Sequence, residues 1–71
     1  MIDKKEFKIA MVRSDIKMER LAEMLGVTTA TLSRKVNNKS EFTVSEVKAL
    51  RKILNLSLED GERIFFADVV E

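Results

Sequence analysis

One glycine does most to limit how this chain can fold. Gly26 lies inside the stretch Met18–Lys39, and apolar residues recur at helical spacing on both sides of it. These residues are Leu21, Leu25 and Val27 before the glycine and Leu32 and Val36 after it. Because glycine readily adopts the left-handed backbone conformation that ends helices, the pattern predicts two short helices joined by a tight turn at Gly26.

The second of these helices is predicted to carry a polar surface without acidic residues. Residues 28–40 contain three basic side chains (Arg34, Lys35 and Lys39) and no Asp or Glu, although the whole chain of 71 residues has a net charge of only +1. A local positive surface attracts phosphate over the roughly 8 Å that physiological salt leaves unscreened. The segment therefore favours a helix–turn–helix that places its second helix in the major groove of DNA.

The other periodic stretches predict an all-α domain of five helices. The expected helices run from Asp3 to about Arg13, Lys17 to Leu25, Thr29 to about Val36, Thr43 to Leu54 and Leu58 to about Phe66. Proline is absent, glycine occurs only twice and β-branched runs are short, so strands have little to form from.

The starts of the last two helices are marked by capping sequences. Thr43 and Glu46 have the spacing of a capping box, flanked by the apolar residues of a hydrophobic staple. Ser57 and Asp60 predict a second capping box. Gly61, inside the fifth helix, should cost about 1 kcal/mol against alanine.

Composition excludes several classes of site. The chain has no Cys and no His, which excludes disulfides, thiolate catalysis and the common zinc sites, and no cofactor, metal or small-molecule ligand is indicated. No apolar run approaches the roughly 18 residues of a membrane span, and the start Met1-Ile2-Asp3 lacks a secretory apolar region. We therefore expect one cytoplasmic domain covering residues 1–71.

The second helix of the motif supplies the candidate base-reading residues, which lie on its N-terminal, outward face. These are Thr29, Ala30, Ser33 and Arg34. Arg34 can donate two hydrogen bonds to a guanine, and the methyl groups of Thr29 and Ala30 can contact a thymine methyl. The alternative is that these side chains form only a solvated helix surface.

Phosphate contacts are expected from helix starts and from the loop after the second helix of the motif. The candidates are Lys17 with the free backbone amides at the start of the second helix of the chain, Thr28, Lys35, Asn37, Asn38, Lys39 and Ser40. Helix N-termini bind anions through exposed amides and the helix dipole, and the loop adds short donors without an acid. Such contacts position a protein on DNA without reading its sequence.

The end of the chain is more apolar than one helix face requires. Phe65, Phe66, Val69 and Val70 therefore predict a surface for self-association, with burial in the core as the alternative. Two copies of one module would match a palindromic DNA site. The neighbouring acids Glu59, Asp60 and Glu62 are expected from the helix dipole, so catalysis has little support.

Two runs of residues carry a likeness to a known family: Leu21-Ala22-x-x-Leu25-Gly26-Val27-Thr28 and, after it, Leu32-Ser33-Arg34. They resemble the helix–turn–helix of the lambda-repressor-like class (the XRE, or Cro/repressor, family), and the resemblance extends over essentially the whole chain. It implies a compact all-α domain, usually dimeric on DNA, that represses by occupying an operator. It also implies the base contacts given above and backbone contacts from Lys17, Met18, Asn37 and Lys39.

Two positions depart from the family pattern. Met18 stands where the family commonly has Gln, which leaves only its amide as a donor. Lys35 stands where the signature usually has an aliphatic residue, and Val36 is expected to take over the packing role. The dipeptide Ser33-Arg34 and the loop after it look similar to small regulators of Gram-positive phages and prophages.

These observations favour a homodimeric, sequence-specific DNA-binding repressor that occupies an operator. A first alternative is an interaction module with the same fold, such as an antitoxin or a subunit of a larger regulatory complex. A second is a small enzyme or enzyme inhibitor. Loss of duplex binding on substitution of Arg34 would distinguish the repressor hypothesis from the first alternative.

Overall fold

The computed structural model describes residues 1–67, which form five α-helices and no strand. The helices are α1 (Lys4–Ser14), α2 (Met18–Leu25), α3 (Thr29–Val36), α4 (Val44–Ile53) and α5 (Leu58–Phe65). The predicted all-α class is confirmed, and each helix lies within one or two residues of its expected bounds. No helix in the described range is long and apolar enough to cross a membrane.

Side-chain caps fix the start of four of the five helices. The side chains of Asp3, Thr28, Thr43 and Ser57 each accept a hydrogen bond from the amide three residues later. At α4 both halves of the capping box are present, because the Glu46 carboxylate also accepts from the Thr43 amide at 2.8 Å. These bonds satisfy amides that the first turn of a helix leaves without partners.

Left-handed residues end two of the helices and follow two others. Gly26 closes α2 with φ of 77°, as the sequence predicted. Asp15 closes α1 in the same conformation, and Asn38 and Asn55 adopt it in the loops after α3 and α4. Asp and Asn tolerate this backbone region better than most residues, because their short side chains form local hydrogen bonds.

The core draws on all five helices. Phe7, Leu21, Leu32, Leu50 and Ile64 represent α1 to α5 in turn, and each is at least 98 % buried. The described residues contain no buried polar or charged residue. Burial of apolar surface is therefore the main source of stability, at about 25 cal/mol per Å² removed from water.

An aromatic cluster joins both ends of the described chain to the loop before α4. The Phe7 ring lies 5.9 Å from the Phe65 ring and 6.2 Å from the Phe42 ring, and Phe42 lies 5.7 Å from Phe65. The two contacts of Phe65 are edge-to-face, a favourable arrangement for aromatic pairs. The cluster fixes α1 and α5 beside the start of α4.

Candidate nucleic-acid interface

The turn between α2 and α3 is held by the backbone. The Gly26 amide donates to the Glu23 carbonyl at 3.1 Å, and the Val27 amide donates to the Ala22 carbonyl at 3.0 Å. These bonds satisfy carbonyls that the last turn of a helix leaves free. Ala22 is 1 % exposed, so this small residue of α2 is buried in the core. The geometry is that of a helix–turn–helix.

The two faces of α3 are divided as the spacing predicted. Leu32 and Val36 are buried in the core. Thr29, Ala30 and Arg34 are exposed. Because residues four apart share a helix face, Thr29 aligns with Ser33, and Ala30 with Arg34. The structure therefore brings the candidate base-reading residues together on the side of α3 that faces solvent.

Ser33 is the least accessible member of this group. It is half-buried, and the Asn37 side-chain amide donates to its hydroxyl at 3.3 Å and to its carbonyl at 2.8 Å. Asn37, predicted as a phosphate ligand, thus also caps the end of α3. The Asn37 residue as a whole remains exposed to solvent.

The candidate phosphate contacts at the helix starts differ in how they are engaged. Lys17 is exposed and precedes α2 without a side-chain cap, so the first-turn amides of α2 include donors that no side chain there covers. Met18 is half-buried and packs against the core, which leaves its amide as the group that could meet a phosphate. The Thr28 hydroxyl accepts from the Thr31 amide and donates to the Thr31 hydroxyl, so it caps α3.

In the loop after α3, Asn38 is a second predicted phosphate ligand with a structural role. The Asn38 side chain accepts from the Ile2 amide at 2.7 Å and donates to the Ile2 carbonyl at 3.2 Å. This pair of bonds ties the loop to the start of the chain. Lys39 is exposed and Ser40 is half-buried. Within this loop, these two side chains are therefore the most available for the phosphate contacts that the sequence predicts.

Lys35, which the sequence predicts as a phosphate contact, has an intramolecular partner. Its ammonium lies 2.6 and 2.7 Å from the two carboxylate oxygens of Glu46, and the two side chains are only 15 % and 16 % exposed. The same ammonium lies 6.0 Å from the centre of the Phe42 ring. Glu46 belongs to the capping box of α4, so one carboxylate caps α4 and binds α3.

The electrostatics of Glu46 reflect this arrangement. Burial by itself would raise the pKa of the carboxyl group, since it disfavours the charged form. Hydrogen bonds from Lys35 and from the Thr43 amide outweigh burial and lower the pKa below its ordinary value. The carboxylate is therefore ionised at neutral pH and holds the lysine as an ion pair.

The sequence did not predict the role of Glu46 toward Lys35. Capping alone accounted for its position, and the pairing joins residues eleven apart in the sequence. The available signal was Lys35 itself, because a cation at a position that is usually aliphatic requires a nearby acid when the site is partly buried.

One of the four residues predicted for the self-association surface lies in the core instead. Phe65 is 3 % exposed and belongs to the aromatic cluster, so it is a core residue of the monomer. Phe66 is 47 % exposed. Val69 and Val70 lie outside the described residues. In the neighbouring acidic turn, the Asp60 carboxylate accepts from Arg63 at 2.9 Å, which assigns it to an intrahelical ion pair.

Comparison with known proteins agrees with this geometry. A helix-turn-helix family model matches residues 7–60, a span that begins within α1, includes α2 to α4 and ends at the start of α5. No significant match was found among curated proteins or solved structures. The fold and its solvent-facing α3 define a DNA-binding helix–turn–helix regulator. The chain belongs to the helix-turn-helix family of the XRE type.

Proposed function

We propose that this protein is a homodimeric, sequence-specific transcriptional repressor of phage or prophage origin. It binds a pseudo-palindromic operator in double-stranded DNA and excludes polymerase from it. The observation that carries the proposal is the division of α3, whose apolar side is buried while Thr29, Ala30 and Arg34 face solvent. The phage origin is supported by the likeness of Ser33-Arg34 and the following loop to phage regulators.

Base readout is assigned to the solvent-facing side of α3. The Arg34 guanidinium donates two hydrogen bonds to a guanine edge, a contact worth about 1–3 kcal/mol of discrimination. Thr29 and Ala30 present methyl groups to thymine, and the Ser33 hydroxyl adds a contact of low selectivity. An α-helix fits the major groove, where all four base pairs can be distinguished.

Phosphate contacts hold this helix in register. Lys17 and the amides at the start of α2 lie on one side of α3 in the sequence, and the loop of residues 37–40 lies on the other. Lys39 supplies the exposed cation of that loop, and the Thr28 amide is a further donor. Contacts on both sides of the recognition helix fix its position before bases are read.

Dimer formation is assigned to the end of α5. Phe66 exposes nearly half of its surface there, and the sequence adds Val69 and Val70 directly after Ala67-Asp68. An apolar group of this kind on the surface of a small domain is typical of an interface. Two copies would place two recognition helices about one DNA turn apart.

Selection of bound duplexes from a random pool tests the proposal. We expect a palindromic site with half-sites about 10 base pairs apart, centre to centre. Arg34→Ala should then weaken binding to the selected site by about 1–3 kcal/mol and relax the base preference at one position, with circular dichroism unchanged.

Arg13→Ala is the matched control for loss of one arginine. Arg13 lines a groove between α1, α5 and the end of α4 that contains no residue of α2 or α3. The Arg13→Ala protein should bind the selected duplex as the wild type does. A pool that yields no preferred sequence would contradict the repressor proposal and favour an interaction module such as an antitoxin.

A further inference from the structure

The geometry points to Glu46 as a positioning residue for DNA recognition, which holds the Lys35 ammonium against α4 and away from the phosphate backbone. This inference rests on the proposed function, because it concerns how the same α3 discriminates between DNA sequences. The positive charge of Lys35 suggests a contact with a DNA phosphate, whereas this inference assigns its ammonium to a contact within the protein.

The carboxylate is held in place before it meets the lysine. One Glu46 oxygen accepts from the Thr43 amide at 2.8 Å, while Thr43 in turn caps the Glu46 amide at 3.1 Å. Both oxygens then accept from the Lys35 ammonium. Because the capping box fixes the acceptor, the lysine forms its hydrogen bonds with little further loss of freedom in the acid.

The pair connects two elements that otherwise touch little. α3 packs chiefly against α2, through the buried residues Leu32 and Val36. Lys35 follows Arg34 directly, so its bond to α4 acts on the turn of α3 that presents the guanine-reading side chain. The Phe42 ring, 6.0 Å from the ammonium, lies beside the same cation. The last turn of α3 is thereby fixed between α2 and α4.

The same pair limits attraction to DNA of any sequence. An unpaired cation on a recognition helix lies within a Debye length of the phosphates and strengthens binding to every duplex alike. Glu46 cancels this charge locally. Discrimination is then left to Arg34 and its neighbours, which contact bases, while positioning is left to cations such as Lys39.

Glu46→Gln is the direct test, since Gln can still accept from the Thr43 amide but carries no charge. The probe is a mixed-sequence duplex of about 20 base pairs. We expect about threefold stronger binding at low salt, and a slope of log K against log salt that is steeper by about 0.9, as for one added phosphate contact. The ratio of affinities for the selected site and the mixed duplex should fall.

Lys35→Met provides the matched comparison. It removes the cation, so we expect the salt slope of the wild type to be retained, and Glu46→Gln should not change the slope in this background. A Lys35→Met protein whose slope falls by about 0.9 would show a phosphate ligand at position 35 and would overturn the inference. This variant gives a result even where Glu46→Gln lowers stability.

Two other outcomes would also overturn the inference. One is an unchanged slope in a folded Glu46→Gln protein; the other is an equal steepening with and without Lys35. In both, the wild type still selects its site, so the proposed function stands. Failure of the wild type to bind either duplex would instead remove the proposed function, and this inference with it.

Discussion

Gly61 shows how a single residue can be costly for a helix and required by its neighbour. Helix propensity alone predicts a gain of about 1 kcal/mol for alanine at this position in α5. In the structure a Cβ atom here would lie 2.8 Å from Cδ and 3.0 Å from Cγ of Arg51 on α4. Glycine therefore allows the Arg51 side chain to cross α5 at close range.

We expect Gly61→Ala to lower the free energy of unfolding by about 1 kcal/mol, because displacement of Arg51 outweighs the propensity gain. Urea denaturation measures the change. In an Arg51→Ala background the obstacle is absent, and the same substitution should stabilise by about 1 kcal/mol. Equal effects in both backgrounds would show that Arg51 plays no part.

Among the elements, α4 has the most fully specified start. Its capping box is complete, with bonds of 3.1 and 2.8 Å, and Phe42 and Val47 flank it as the sequence predicted. The cap also supports the acid that holds α3. A change at the start of α4 should therefore affect stability first and recognition second.

Thr43→Ala should destabilise the protein by about 1 kcal/mol, the usual cost of losing an N-cap side chain. Thermal unfolding followed by circular dichroism is the measurement. Ser45→Ala, at an exposed position of the same turn, is the control and should change stability by less than about 0.5 kcal/mol. Equal losses in the two variants would argue against the cap.

Stability should also depend on pH through Glu46. Its pKa is lower in the folded protein than the ordinary value of 4.5, so its ionised form stabilises the fold at higher pH. This contribution is lost as the pH falls from about 4.5 through the lowered folded value. The melting temperature of the wild type should therefore decline more steeply below pH 4.5 than that of Glu46→Gln. Parallel declines would contradict the assignment.

The helices could be predicted closely because their signals are local. Gly26, the Thr28 cap and the Thr43 capping box each act within a few residues, and the bounds of α3 agree with those expected from the sequence. The pairing of Lys35 with Glu46 and of Asn38 with Ile2 could not be predicted in this way. Both depend on how helices pack together, which periodicity does not determine.

For the whole molecule, helix packing, which periodicity does not determine, also decides which apolar residues at the end of α5 are buried. The apolar excess predicted one self-association surface, with core burial as the alternative, but the division between core and surface depends on packing. Phe65 faces Phe7 and Phe42, whereas its neighbour Phe66 is half exposed. The proposed dimer therefore depends on Phe66 and on the segment that follows it.

We expect Phe66→Ser to weaken self-association at least tenfold, since it removes an exposed aromatic anchor worth about 1.4 kcal/mol or more. Sedimentation equilibrium measures the effect. Val12→Ser is the control, because Val12 is 80 % exposed on α1, and it should leave association unchanged. A Phe66→Ser protein that associates as the wild type does would place the interface elsewhere.

The aromatic cluster has a practical consequence for spectroscopy. The chain contains no Trp or Tyr and four Phe, so its near-ultraviolet signal comes from phenylalanine alone, and three of the four rings meet in this cluster. Near-ultraviolet circular dichroism therefore monitors the packing of α1 and α5 against the start of α4, while the far-ultraviolet band monitors helix content. If the near-ultraviolet signal melts at a lower temperature than the far-ultraviolet signal, a state exists whose helices persist after the aromatic cluster has separated.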